Sequence, residues 1–89
     1  MELNNKTAIE HDENRNEFSM NVDGQKVFIN YHLKNDIYYL THSEVPQIFR
    51  GKGIGKILVK ATYDFLNKNS MTAVPVCSFI KAVVSKENL

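Results

Sequence analysis

The chain has one cysteine, two prolines and no apolar run approaching the length of a membrane span. One cysteine excludes an internal disulfide and suits a reducing, cytoplasmic setting. A membrane helix needs about 20 consecutive apolar residues, and nothing here comes near that. Residues 1–6, Met-Glu-Leu-Asn-Asn-Lys, lack the apolar core of a secretory leader, so none is expected. An excess of one charge is missing too: 11 Lys and Arg stand against 10 Asp and Glu, a net charge of +1. Without a basic excess, neither a general nucleic-acid binder nor a membrane-surface binder fits. No repeat, linker or low-complexity tract divides the chain, and 89 residues make one domain, 1–89. A chain of this size buries about 60% of its unfolded surface, enough for one modest core.

Glycine is also scarce, and its distribution is informative. Three of the four glycines, Gly51, Gly53 and Gly55, fall within residues 50–56, interleaved with Arg50, Lys52 and Lys56. Glycines let the backbone turn tightly and leave its N–H groups uncovered. A helix starting at Ile54 adds free N–H groups and about half a positive charge of dipole at the same place. That combination binds anions, phosphate above all.

Spacing narrows the kind of phosphate loop. A Walker A loop needs four residues between its glycines and then Lys-Ser/Thr, but Gly51 and Gly55 enclose three residues and Lys56 precedes Ile57. A dinucleotide fingerprint needs its third glycine one residue later and an acidic residue about twenty positions on; residues 71–75 read Met-Thr-Ala-Val-Pro.

Periodicity places this loop between a strand and a helix. Phe18, Met20 and Val22 alternate with polar residues, as do Val27, Ile29, Tyr31 and Leu33 further on, with Asp23-Gly24 as the turn between them. A two-residue turn sets Met20 opposite Val27 and Phe18 opposite Ile29. Asn35-Asp36 is a second turn, and residues 37–45 form a third strand; two residues at this turn pair Tyr31 with Leu40 and Ile29 with His42. The polar stretch 11–16 reads as a loop. Apolar positions 54, 57, 58, 61, 65 and 66 trace a helical stripe. Residues 72–76 make a short strand, parallel to the third because a helical crossover leads to it. Phe79, Ile80, Val83 and Val84 outline a last short helix. Pro75 cannot donate to a ladder, so the final strand should pair poorly near its carboxyl end.

Arg50-Gly51-Lys52-Gly53-Ile54-Gly55 resembles the R-x-x-G-x-G pyrophosphate loop of the GNAT superfamily of N-acetyltransferases. Glu44-Val45-Pro46 before it and Pro75-Val76-Cys77-Ser78-Phe79 after it resemble the small single-domain GNAT-like proteins with a P-x-C-x-F motif. The resemblance covers roughly residues 23–86. It implies a mixed α+β fold, an abbreviated GNAT core of antiparallel meander, β-α-β unit and short terminal helix. It also implies transfer of an acetyl group from acetyl-coenzyme A (acetyl-CoA) to an amine, with that of a protein or peptide among the candidates. The pyrophosphate would lie on Arg50, Gly51, Lys52, Gly53, Ile54, Gly55 and Lys56, with pantetheine along the backbone of Glu44 and Val45. No membrane partner is implied, and the chain would act as a monomer or weak homodimer.

Cys77, after a strand and opening a helix, is the candidate acyl carrier or leaving-group acid, because a helix N-terminus favours thiolate. His42 and Glu44 are the candidate bases for deprotonating the amine. His11 and His32 have no ligand spacing with Cys77, so no metal is expected. The family often places a tyrosine in the final helix as the acid; this chain has Val83 there and no tyrosine after Tyr63. A coenzyme A-binding module with little or no turnover is therefore the alternative reading.

Overall fold

Alternating apolar and polar residues make this chain strand-forming, and two short turns fold the strands back on one another. The computed structural model describes residues 8–89, so the reading of residues 1–6 lies outside the described residues. Four strands come first: β1 (Glu10–Asp12), β2 (Glu17–Val22), β3 (Gln25–Lys34) and β4 (Ile37–Glu44). A 3-10 turn, Gln47–Phe49, leads through residues 50–53 into α1 (Ile54–Lys68), and β5 (Thr72–Pro75) and α2 (Ser78–Glu87) follow. The sheet order is β1-β2-β3-β4-β5, antiparallel except for the parallel β4–β5 pair. This is the α+β architecture that the sequence implies.

Both two-residue turns form, with positive φ at Asp23, Gly24, Asn35 and Asp36. Such turns match the twist of the flanking strands and need residues that tolerate left-handed backbone. Met20 therefore faces Val27, and Phe18 faces Ile29. One face of the sheet contributes Phe18, Met20, Ile29 and Leu40 to the core; α1 contributes Ile54, Leu58 and Leu66, and α2 contributes Ile80, none of them more than 2% exposed. Each such burial stabilises the fold by about 1.5–3 kcal/mol. Surface ion pairs such as Arg15–Asp12, at 3.8 Å, contribute about 0–1 kcal/mol, so the core decides the fold.

Three readings need correction. The stretch 11–16 is not all loop: His11 and Asp12 belong to β1, opposite Phe18 and Glu17. The His11 ring stacks on Phe18 at 4.5 Å, and its Nε2 lies 2.7 Å from the Tyr31 hydroxyl. A polar residue turns inward here because an aromatic face and a hydrogen bond receive it, which a polar composition conceals.

The second correction concerns β4. Tyr31 faces Leu40, but Ile29 faces Ser43 rather than His42, and Asn30 faces His42. The ladder shifts between Asn30 and Tyr31, leaving Thr41 as the extra residue of a bulge; its Oγ1 donates to the Asn30 carbonyl at 3.4 Å. One extra residue exchanges the faces of everything beyond it. Ser43 joins Ile29 on the helix-covered side. His42 and Glu44 turn to the opposite side with Asn30 and Phe28.

The strands part where the chemistry was anticipated, for a different reason. β4–β5 pairing ends at Leu40–Pro75 although β4 continues to Glu44. The Leu40 carbonyl accepts from both Val76 N–H (2.9 Å) and Cys77 N–H (3.0 Å). Alternate residues of a parallel ladder turn toward the neighbour, so with Val76 bonded to β4, Pro75 presents its missing N–H to the open edge. Pro75 thus removes no ladder bond. The parting comes from the Thr41 bulge and from Leu40 closing the ladder.

Candidate functional site

The loop between β4 and α1 owes its shape to two glycines. Gly51 and Gly53 have φ of 80° and 78°, a left-handed conformation that costs other residues roughly 1–2 kcal/mol. Gly53 is the N-cap of α1 and, having no side chain, leaves the first-turn N–H groups uncapped. Ile57 N–H makes the first helical bond, to the Gly53 carbonyl at 3.1 Å. The first turn holds no acidic residue, and Lys56 stands there instead. A cation beside the positive end of the helix dipole breaks the usual preference, and such local conflicts gather at binding sites.

These N–H groups open into a cleft of about 460 Å³ lined by Ser43, Val45, Phe49, Arg50, Gly51, Gly53, Ile54, Gly55, Lys56 and Phe79. That volume lies within the range of small-molecule and cofactor sites, roughly 300–1,000 Å³. Arg50 is tied back across the loop, its Nε donating to the Val45 carbonyl at 3.4 Å. Lys56 reaches the Glu87 carboxylate of α2 at 3.2 Å, and Lys60 reaches the same group at 3.6 Å. The Lys56 hydrogen bond is the main reason the Glu87 carboxyl lies below its usual range.

Cys77 is the N-cap of α2 and is partly buried. Its Sγ lies 3.9 Å from the Ser43 Oγ, within hydrogen-bond range for sulfur. Burial is the largest single influence on the thiol and pushes its pKa up. The first-turn N–H groups of Ile80 and Phe79, together with Ser43, outweigh that and leave the pKa below its ordinary 9.0. None of those N–H groups closes a full capping bond to the side chain, so the effect is that of oriented dipoles near the sulfur.

The sequence-named residues divide into two groups. Val45, Arg50, Gly51, Gly53, Ile54, Gly55 and Lys56 line the cleft, whereas Glu44, Lys52 and Cys77 do not; Cys77 adjoins the lining residue Ser43. His42 and Glu44 stand together on the other face of the sheet, His42 Nε2 lying 3.2 Å from Glu44 Oε1. Ser43, Phe49 and Phe79 were not named as site residues. The bulge that brings Ser43 in carries no glycine or proline mark. Phe79 reads as the apolar face of a helix, but it is 43% exposed and forms a wall of the cleft. Val83 of α2 is buried. Tyr63 lies on α1 with its hydroxyl buried and unpartnered, alone in this among the described residues, and burial raises its pKa.

A meander, a β-α-β unit with parting strands and a glycine loop at a bare helix N-terminus together define an acyltransferase-like α+β domain. The model of the GCN5-related N-acetyl-transferase family matches residues 17–88, and the chain belongs to that family. Its relatives include Protein NATD1 of Xenopus tropicalis, 35% identical over 91 residues that span 99% of this chain and 83% of the relative. Protein NATD1 of Mus musculus is 37% identical over 83 residues, 90% of this chain and 74% of the relative. Protein NATD1 of Homo sapiens is 36% identical over 83 residues, 90% of this chain and 73% of the relative.

Proposed function

We propose that this protein is an acetyl-CoA-dependent N-acetyltransferase whose cofactor lies in the cleft at the α1 N-terminus. The carrying observation is that one cleft joins the uncapped first turn of α1 to Ser43 on the stretch of β4 beyond its pairing with β5, and Ser43 lies beside Cys77. The N–H groups between Lys52 and Lys56 hold the pyrophosphate, helped by the Arg50 and Lys56 charges. Pantetheine follows the unpaired edge of β4 at Glu44 and Val45 and brings the thioester to the gap. Charge-assisted hydrogen bonds contribute about 1.5–3 kcal/mol each, so three or four of them support micromolar affinity, near 8 kcal/mol, after the entropic cost of binding.

The acceptor amine comes from the other side of the sheet. His42 and Glu44 face away from the cleft, so a base there meets the thioester only through the gap. The amine loses a proton to His42 or Glu44 and attacks the carbonyl; the carbon–sulfur bond breaks and the departing thiolate takes a proton. Cys77 is the group placed to supply that proton. As an acyl carrier it would instead take the acetyl group first and pass it to the amine. A reducing compartment keeps it a thiol in either role.

The alternative is a coenzyme A-binding module without turnover. Val83 in α2 and the buried Tyr63 hydroxyl favour it, because neither element offers a phenol to the cleft. Calorimetric titration with coenzyme A tests the shared premise, and mass detection of acetylated amines separates the two. Micromolar binding with transfer supports the enzyme; binding without transfer supports the module. No binding overturns both.

A further inference from the structure

We propose that Ser43 is the positioning residue of the Cys77 thiol, its hydroxyl holding the sulfur at the mouth of the β4–β5 gap and donating to it when it is ionised. The inference rests on the reading of the cleft as a thioester site.

Both partners are held by backbone. Ser43 faces Ile29 in the β3–β4 ladder only because Thr41 bulges out; an unbroken ladder would put His42 there. Cys77 is held by its N–H bond to Leu40 and, through its own carbonyl, by Lys81 N–H at 2.9 Å. The 3.9 Å between Ser43 Oγ and Cys77 Sγ thus lies between two residues whose backbones are anchored, one in β4 and one at the α2 N-cap. Among the described residues, a neutral hydroxyl is also the only side-chain donor that influences the thiol. No charge does so: not Lys56 or Lys60 of α1, not His42 or Glu44 of β4, not Lys81 or Glu87 of α2. The remaining donors are main-chain N–H groups, of Ile80 and Phe79 in α2 and of Ser43 itself, which substitution leaves in place. A single hydroxyl is therefore what side-chain chemistry adds to the dipoles of the helix.

The test replaces Ser43 with Thr and Val, which share a shape and differ by the hydroxyl, and with Ala. Iodoacetamide labelling of Cys77 is followed as a function of pH in the native protein and again in urea. The expected result is that Ser43→Val and Ser43→Ala shift the labelling midpoint upward and slow labelling at neutral pH by roughly threefold or more, as thiolate population falls. Ser43→Thr should keep the parent profile, and all variants should label alike in urea. Should the alanine variant fail to fold, the Thr and Val pair still decides. Identical native profiles for Thr and Val would overturn the proposal and leave Ser43 as a wall of the cleft. Labelling is read without cofactor or turnover, so a protein that proves unable to transfer acetyl groups still yields the answer. A failed acetyltransferase reading and a failed Ser43 role are thus distinct results.

Discussion

The ring of Phe79 lies on the backbone of Gly55: a Cβ added to Gly55 would meet Phe79 Cζ at 2.7 Å. The first turns of the two helices therefore touch through an aromatic ring and a bare backbone, at one end of the cleft. Gly55 is helical, so replacing it with Ala gains about 1 kcal/mol of helix propensity. The clash is with the far end of a half-exposed side chain, which can swing away at modest cost. Gly55→Ala should therefore melt within a few degrees of the parent. The displaced ring should rebuild the cleft wall and weaken coenzyme A several-fold. Unchanged affinity by calorimetry would mean that Phe79 is not part of the cofactor site.

Gly53 makes a different demand. A Cβ there meets nothing within 4 Å, so crowding is no obstacle, but φ is +78°. Gly53→Ala should cost roughly 1–2 kcal/mol of stability from backbone strain alone. Gly53→Asn should cost less, since asparagine tolerates the left-handed region. Gly53→Val adds a branched side chain over the uncapped N–H groups and should abolish coenzyme A binding. Denaturant melts and titration separate the two effects; full binding by the valine variant would remove the loop from the site.

The two turns, β2 to β5 and both helices are legible from alternation, helical spacing and turn residues, because each feature is local. The glycine loop is legible for the same reason. What escaped notice depends on distant partners. β1 exists because Phe18 and Tyr31 accept His11, and the Tyr31 hydroxyl that bonds its ring lies 20 residues away. The bulge exists in the pairing of β4 with β3, and Thr41 looks like any strand residue. That one residue decided which of His42, Ser43 and Glu44 meets the cleft.

Thr41 can be removed without disturbing the pairs on either side. With Thr41 deleted, Leu40 still faces Tyr31 and His42 still faces Asn30, now in an unbroken ladder. The straightened β4 should continue to pair with β5 past Pro75 and close the gap. The deletion variant should fold and lose acetyl transfer, and the Cys77 amide, bonded to Leu40 in the parent but turned to the open edge in a regular ladder, should lose protection in hydrogen exchange. Retained transfer would show that the parting of the strands is not needed.

Glu87 holds Lys56, the cleft cation assigned to phosphate in the proposed function, together with Lys60. It accepts from Lys56 and Lys60, and the Lys56 hydrogen bond chiefly lowers its pKa below 4.5. A carboxyl whose folded pKa is depressed adds stability that is full above its unfolded value and is lost as pH falls through the folded value. Melting temperature should therefore drop on acidification below about pH 4.5 less steeply in Glu87→Gln than in the parent. At neutral pH the same variant frees both lysines and should bind coenzyme A more tightly, with little change for pantetheine. Charge reversal at Lys56 should do the opposite, weakening coenzyme A far more than pantetheine. Equal effects on both ligands would mean that these charges act on the fold and not on phosphate.

Cys77 is the residue on which the proposed chemistry turns. Burial pushes its thiol up, the α2 N–H groups and Ser43 pull it down further, and the net result lies below 9.0. The thiolate fraction at neutral pH should therefore exceed that of a free cysteine, and iodoacetamide should label it faster. Labelling should rise with pH to a midpoint below 9.0, and bound coenzyme A should protect the sulfur if the thioester lies in the gap. Cys77→Ala should keep cofactor binding and lose most acetyl transfer, because Val83 cannot donate a proton and the Tyr63 hydroxyl is buried. Cys77→Ser should keep a small part of the activity through its hydroxyl if the residue acts as an acid, since an alcohol can still protonate a thiolate. A carrier role predicts instead an acetylated Cys77 intermediate, visible by mass spectrometry after mixing with acetyl-CoA alone. Slow labelling together with full activity of the alanine variant would make Cys77 a core residue. Protonation of the leaving group would then fall to water, and His42 and Glu44 would remain as the only side chains with a role in the chemistry.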